Sequence, residues 1–153
     1  MTRVAIGSDH AGYELKSFLI EYLESRGLQV VDIGTNSSEQ TDYPPLCIAV
    51  AETVARADAD WGIVLGGSGQ GEQMAANKVR GARAALCNDP YYAKLARRDN
   101  DANILAIGAR VVAPQFATEI IDVWIRTPFE GGRHKRRIDL IAGYEQRTKA
   151  PPG

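Results

Sequence analysis

Short apolar runs alternate with stretches whose apolar positions recur every three or four residues, nearly to the end of the 153-residue chain. Runs at 3–7, 29–33, 61–65, 82–86 and 104–107 are brief and bounded by glycine or polar residues, as strands buried on both faces of a parallel sheet are. Between the first two, Leu15, Phe18, Leu19, Tyr22 and Leu23 fall at i, i+3, i+4, i+7 and i+8, which predicts an amphipathic helix. Gly27 stands where a left-handed cap would end it. Tyr43-Pro44-Pro45 predicts a helix reaching about residue 57, since proline is tolerated in a first turn. Asn88-Asp89-Pro90 opens another in the same way, and Pro114 a third, carrying Phe116, Ile120, Val123 and Trp124. With a further helix starting near Glu72, strand and helix alternate as in a parallel sheet covered on both faces. After Gly131-Gly132 the segment 133–147 reads as a last helix with no strand behind it. Such a helix either packs on its own sheet or reaches a partner subunit. The closing residues 150–153 are expected to fray.

Composition narrows the class. A hydrophobic share of 44% supports a true core, and 153 residues suit a single domain over 1–153. Eighteen basic against 19 acidic residues leave a net charge of −1, which argues against nucleic acid as a partner. The exception is the run Arg133, His134, Lys135, Arg136 and Arg137, a pattern that is commonly just a solvated helix face. No apolar stretch approaches the ~20 residues that span a bilayer. The first residues enter a strand pattern at once, so no targeting leader is expected. Cys47 and Cys87 lack metal-ligand spacing and read as buried, reduced thiols of a cytoplasmic protein.

Ligands of an open parallel sheet bind at strand ends, classically the carboxyl ends, and three segments here carry candidate chemistry. Gly7-Ser8-Asp9-His10-Ala11-Gly12 follows the first strand. Asp9 and His10 could hold a polyol and an anion, or Asp9 could simply cap the next helix. Leu65-Gly66-Gly67-Ser68-Gly69-Gln70-Gly71-Glu72 follows the third, and its four glycines in six positions free backbone N–H groups to converge on an oxyanion. It lacks the Lys-Ser/Thr of a nucleotide-hydrolase loop and the G-x-G-x-x-G spacing of a dinucleotide site. Glu72 reads either as a carboxylate favoured at a helix start or as a general base. Arg98-Asp99-Asn100-Asp101-Ala102-Asn103 ends the helix before the fifth strand, and Arg110 lies just past that strand. Arg133 and Arg137, at i and i+4, share a helical face and can fork a phosphate dianion.

Taken in order, these segments resemble the type B ribose-5-phosphate isomerases and their relatives that isomerise galactose 6-phosphate. The resemblance also takes in Thr41-Asp42-Tyr43-Pro44, Ala75-Ala76-Asn77-Lys78, Gly108-Ala109-Arg110 and Glu130-Gly131-Gly132-Arg133-His134, and so covers nearly the whole chain. It implies an α/β Rossmann-like three-layer sandwich with a five-stranded parallel sheet and an extra C-terminal helix, about 130–148, against a partner subunit. It implies a homodimer or tetramer with shared sites, a small sugar phosphate as substrate, and neither cofactor nor metal. Carried over, Asp9, His10, Asn100, Arg110, Arg133 and Arg137 hold the sugar phosphate, the last two from the partner chain. Gly67, Ser68, Gly69, Gln70 and Gly71 form the anion hole. Part of the family has a cysteine base where this chain has Gly66; another branch has a glutamate at Glu72, which the resemblance makes the base here.

At position 99 family members acting on cyclic sugars carry a histidine that opens the ring, and this chain carries Asp99. A carboxyl group's reference pKa lies about two and a half units below histidine's. Some relatives lacking that histidine resemble isomerases of four-carbon sugar phosphates, so a tetrulose 4-phosphate or a hexose 6-phosphate stands beside ribose 5-phosphate as substrate. Two other classes compete: a phosphosugar-binding module on the same fold, which has no use for Glu72 beside an anion hole, and a dinucleotide oxidoreductase, against which the glycine spacing counts.

Overall fold

The computed structural model describes residues 1–148; the expected frayed end at 150–153 lies outside them. Five strands, β1 (Arg3–Ser8), β2 (Gln29–Gly34), β3 (Trp61–Gly66), β4 (Ala84–Leu86) and β5 (Ile104–Gly108), form one sheet in the order β2-β1-β3-β5-β4. Every pairing is parallel. Six helices follow in sequence: α1 (Tyr13–Ser25), α2 (Tyr43–Ala55), α3 (Gln70–Ala76), α4 (Pro90–Asn100), α5 (Pro114–Arg126) and α6 (Arg133–Arg147).

One apolar layer gathers Leu15, Leu19 and Leu23 of α1, Ala93 and Ala96 of α4, and Ile120, Ile121 and Trp124 of α5 against β1, β3 and β5. The opposite layer gathers Cys47, Val50 and Val54 of α2 with Ala76 of α3. The three layers match the expected architecture. Helix α1 ends as its glycine requires: Gly27 sits at φ 81°, and the N–H groups of Gly27 and Leu28 donate to Glu24 and Leu23.

Strand ends differ from the sequence reading by small amounts with clear causes. Ser8, Gly66 and Gly108 extend their strands because the ladder continues through Ser8–Leu65 and Gly66–Gly108. The fourth strand begins at Ala84 rather than 82: Ala82 N–H closes a turn onto Val79, and Arg83 N–H goes to the Asn103 side chain.

Helix α1 leaves β1 on one face while α3 leaves β3 on the other, so the crevice opens at the carboxyl ends of these two neighbouring strands. The other end of the sheet is closed by Arg97. Its guanidinium is 5.4 Å from the Trp61 ring and 5.5 Å from that of Trp124, and Nη1 donates to the Ala102 carbonyl at 2.6 Å.

Candidate active site

The crevice between β1 and β3 collects the first two segments. Asp9 is buried, and its Oδ1 accepts from the N–H groups of Ala11 and Gly12 at 2.9 and 3.2 Å. The capping role therefore exists, and it uses only one carboxylate oxygen. His10 is half-buried, with Nδ1 3.2 Å from both the carbonyl and the N–H of Thr41. That engagement leaves Nε2 for a ligand.

Beyond β3 the chain turns through Gly67, Ser68 and Gly69 into α3. Gly69 sits at φ 83°, where a side chain is strained, and a Cβ there would press on Leu86 at 2.6 Å. Gln70 N–H donates to Ser68 Oγ at 3.3 Å, so the Ser68 hydroxyl keeps its own proton free to donate outward. Arg110 closes the loop from the side. Its N–H donates to the Gly67 carbonyl at 3.0 Å, and its Nη1 lies 3.1 Å from where a Gly67 Cβ would stand.

Glu72 lies in the first turn of α3 and is 4% exposed. Its carboxyl group fills the space that a Cβ on Gly66 would occupy. Burial pushes its pKa up, and the negative charge of Asp9 pushes the same way; the N–H groups of Glu72 itself and Gly69 oppose both. A buried carboxylate with a raised pKa beside a glycine-rich turn suits proton abstraction from a weak carbon acid. Tyr43, to which the sequence reading gave no role, places its hydroxyl against Gly71 in the volume a Cβ would need. Nothing in the local sequence signals that contact, because it joins the start of α2 to a loop nearly thirty residues on.

Asp99, Asn100, Arg133 and Arg137 are not in this crevice. The segment before β5 was grouped with carboxyl strand ends, but α4 runs back along the sheet and finishes at its amino end. There Asn103, three residues beyond α4, accepts from the N–H of Gly62 in β3, four residues and so roughly 13 Å before Gly66. Asp99 is gripped by Arg98, with Nε–Oδ1 2.6 Å and Nη2–Oδ2 3.2 Å, and His134 Nε2 lies 3.5 Å from Oδ1. The hydrogen bonds from Arg98, reinforced by the charges of Arg98, His134 and Arg133, hold the Asp99 carboxyl below the usual range. So held, the Asp99 carboxylate is the acceptor for the Arg98 guanidinium. Arg133 and Arg137 stand exposed on the first turns of α6.

Asp99, Glu130 and His134 present three donor atoms within 4.8 Å of one another, but Arg98 lies against both carboxylates and supplies the positive charge there. A groove of about 650 Å³ between α4 and α5, lined by Tyr91, Lys94, Arg98, Val123, Arg126 and Glu130, shares residues with this cluster and none with the glycine loop. Cys47 and Cys87 are buried and free, and burial pushes both thiols up to about 12. Neither is a nucleophile at neutral pH.

Residues 4–141 match the family described as Ribose/Galactose Isomerase. The chain belongs to that family. It is 50% identical to ribose-5-phosphate isomerase B of Mycolicibacterium paratuberculosis, over 98% of this chain and 96% of the relative. The ribose-5-phosphate isomerase B structure from Clostridium thermocellum superposes with a TM-score of 0.94 at 46% identity, covering 95% of this chain and 99% of that one. The Mycoplasma genitalium enzyme, solved with bound ribulose-5-phosphate, gives 0.92 at 42% identity, with 96% and 98% covered. In this chain Gly66 closes β3 ahead of the glycine-rich turn, and Glu72 lies in the first turn of α3.

Proposed function

We propose that the chain interconverts ribose 5-phosphate and ribulose 5-phosphate through an enediolate, with Glu72 as the base. The supporting observation is the placement of Glu72: a buried carboxylate with a raised pKa, in contact with Gly66, beside the glycine-rich turn at the crevice of the sheet. Glu72 takes the proton from C2 of the open-chain aldose and returns it to C1, while the hydroxyl proton passes from O2 to O1 across the enediolate. The Ser68 hydroxyl and the amides of Gly67, Gly69 and Gly71 bear the charge on the enediolate oxygen, with Gln70 N–H holding the Ser68 oxygen in place, each donor to the oxyanion worth about 3–4 kcal/mol in the transition state. Asp9 and His10 orient the chain of hydroxyls, and Arg110 faces the phosphate. The reaction moves protons only, so it calls for no redox cofactor.

The remaining cations come from a second copy of the chain. Arg133 and Arg137 lie at the far end of the sheet from Glu72, as does Asn100, so one chain cannot gather them at its own loop. Helix α6 also shows Leu140, Ile141 and Tyr144 to solvent, each more than half exposed, a face suited to a partner. We therefore read 1–153 as one domain acting as a homodimer or tetramer with shared sites, in the cytoplasm, within the pentose phosphate pathway. The test is isomerisation of ribose 5-phosphate beside erythrose 4-phosphate, by wild type and Glu72→Gln. Interconversion of ribose and ribulose 5-phosphates that falls at least ~100-fold in the folded variant supports the reading. A tenfold preference for the four-carbon sugar would replace the substrate, and a fully active Glu72→Gln would remove the base.

A further inference from the structure

The turn that launches α6 is thinly built. Gly131 and Gly132 both have positive φ, 73° and 58°, with nothing within 4 Å of a Cβ at either. The helix has no side-chain cap at its start. What fixes the turn is its attachment to the last turn of α4. Glu130 N–H donates to the Arg98 carbonyl at 3.0 Å, and Arg98 Nε lies 3.7 Å from Glu130 Oε2 while holding Asp99 at 2.6 Å. From the other side of the turn His134 points inward. It is 7% exposed, and Nε2 has no hydrogen-bond partner and lies 3.5 Å from Asp99 Oδ1. Arg98, Asp99, Glu130 and His134 thus tie the entry of α6 to α4, and the next residues outward are Arg133 and Arg137.

We propose that Asp99 is a positioning residue, acting with Arg98, Glu130 and His134 to aim Arg133 and Arg137 at the substrate's phosphate. The proposal rests on the reading of those two arginines as phosphate ligands. Its geometry accounts for an acid in the last turn of a helix, where the backbone carbonyls disfavour negative charge: the carboxylate accepts two hydrogen bonds from Arg98 and lies 3.5 Å from His134 Nε2. The ionised state of Asp99 supports a structural anion over a proton donor.

The experiment measures kcat and KM for ribose 5-phosphate, and competitive inhibition by inorganic phosphate, in wild type, Asp99→Asn, Asp99→Glu, His134→Gln, Glu130→Gln and Arg133→Ala. Expected is a parallel rise in KM and in the phosphate inhibition constant for Asp99→Asn, His134→Gln and Glu130→Gln, about three- to tenfold, with kcat within about twofold and the folded state retained. Asp99→Glu, which keeps the charge, regains part of the loss. In an Arg133→Ala background Asp99→Asn adds little, since its effect passes through that side chain. A fall in kcat for Asp99→Asn with KM and phosphate inhibition unchanged would place Asp99 at the reacting atoms and overturn the proposal. Weaker phosphate in Arg133→Ala but not in the three tether variants also overturns it, leaving the phosphate reading intact. Unchanged phosphate inhibition in Arg133→Ala removes that reading and the proposal with it.

Discussion

Gly66→Ala adds a single methyl group, and the structure states what that methyl meets. The new Cβ would land within the Glu72 carboxyl group, with Glu72 Cγ only 3.0 Å away. The atoms it strikes are the tip of a side chain that can rotate out, so the cost in stability stays near the low end of the ~1–3 kcal/mol typical of overpacking. On the proposed mechanism the cost in chemistry is larger, because the rotation carries the Glu72 carboxylate away from the glycine loop. Losing a positioned base lowers turnover about 10²- to 10⁴-fold, or about 2.7–5.4 kcal/mol at 1.36 kcal/mol per decade. Steady-state isomerisation and thermal unfolding measured on one preparation separate the two effects. In a Glu72→Ala background the same methyl meets no carboxylate, so its stability penalty shrinks and turnover falls no further. Gly66→Ala that turns over within a few-fold of wild type would show that the carboxylate does not work from this position.

Glu72 must be ionised to accept a proton, so kcat/KM is lost as pH falls through its raised pKa; Asp9→Asn removes one of the causes raising it and shifts that limb to lower pH, and an unmoved limb would contradict the coupling. The same raised pKa means that stability contributed by the protonated carboxyl is lost as pH rises through it. Glu72→Gln is therefore more stable than wild type at neutral pH, a gain that vanishes below the ordinary glutamate range in pH-dependent unfolding. Cys47→Ala and Cys87→Ala keep turnover, and alkylation of the native protein at neutral pH is slow, because both thiols are buried and pushed up to about 12; rapid inactivation by a thiol reagent would refute this. Mixing Glu72→Gln with Arg133→Ala subunits restores part of the activity that each lacks, and verified mixed oligomers without recovery would confine the site to one chain.

The apolar runs made β1, β3 and β5 legible because strands covered on both faces have no polar side to blur them. The glycine loop was legible too, since few uses other than tight backbone approach call for such spacing. Glu72 could be singled out, but its contact with Gly66 depends on the first turn of α3 folding back over the strand end. The surroundings of Asp99 were not legible for a related reason. Its meaning comes from Arg98 beside it and from His134, 35 positions later, neither of which a local pattern weighs. The placement of Asp99 at the amino end of the sheet follows from direction alone: a helix that leads into a parallel strand ends where that strand starts.

Both tryptophans of the chain flank Arg97, so any red-edge emission from this protein originates at the amino end of the sheet. Trp124 is sealed at 2% exposure, and Trp61 opens β3 at the end opposite the glycine loop. Intrinsic fluorescence is therefore a one-sided gauge. It is nearly blind to a ligand settling among Gly67–Gly71, yet it sits one residue from Arg98, where the last turn of α4 meets α6. A spectral change on adding a sugar phosphate would register an event where α4 meets α6, and unfolding would register in full.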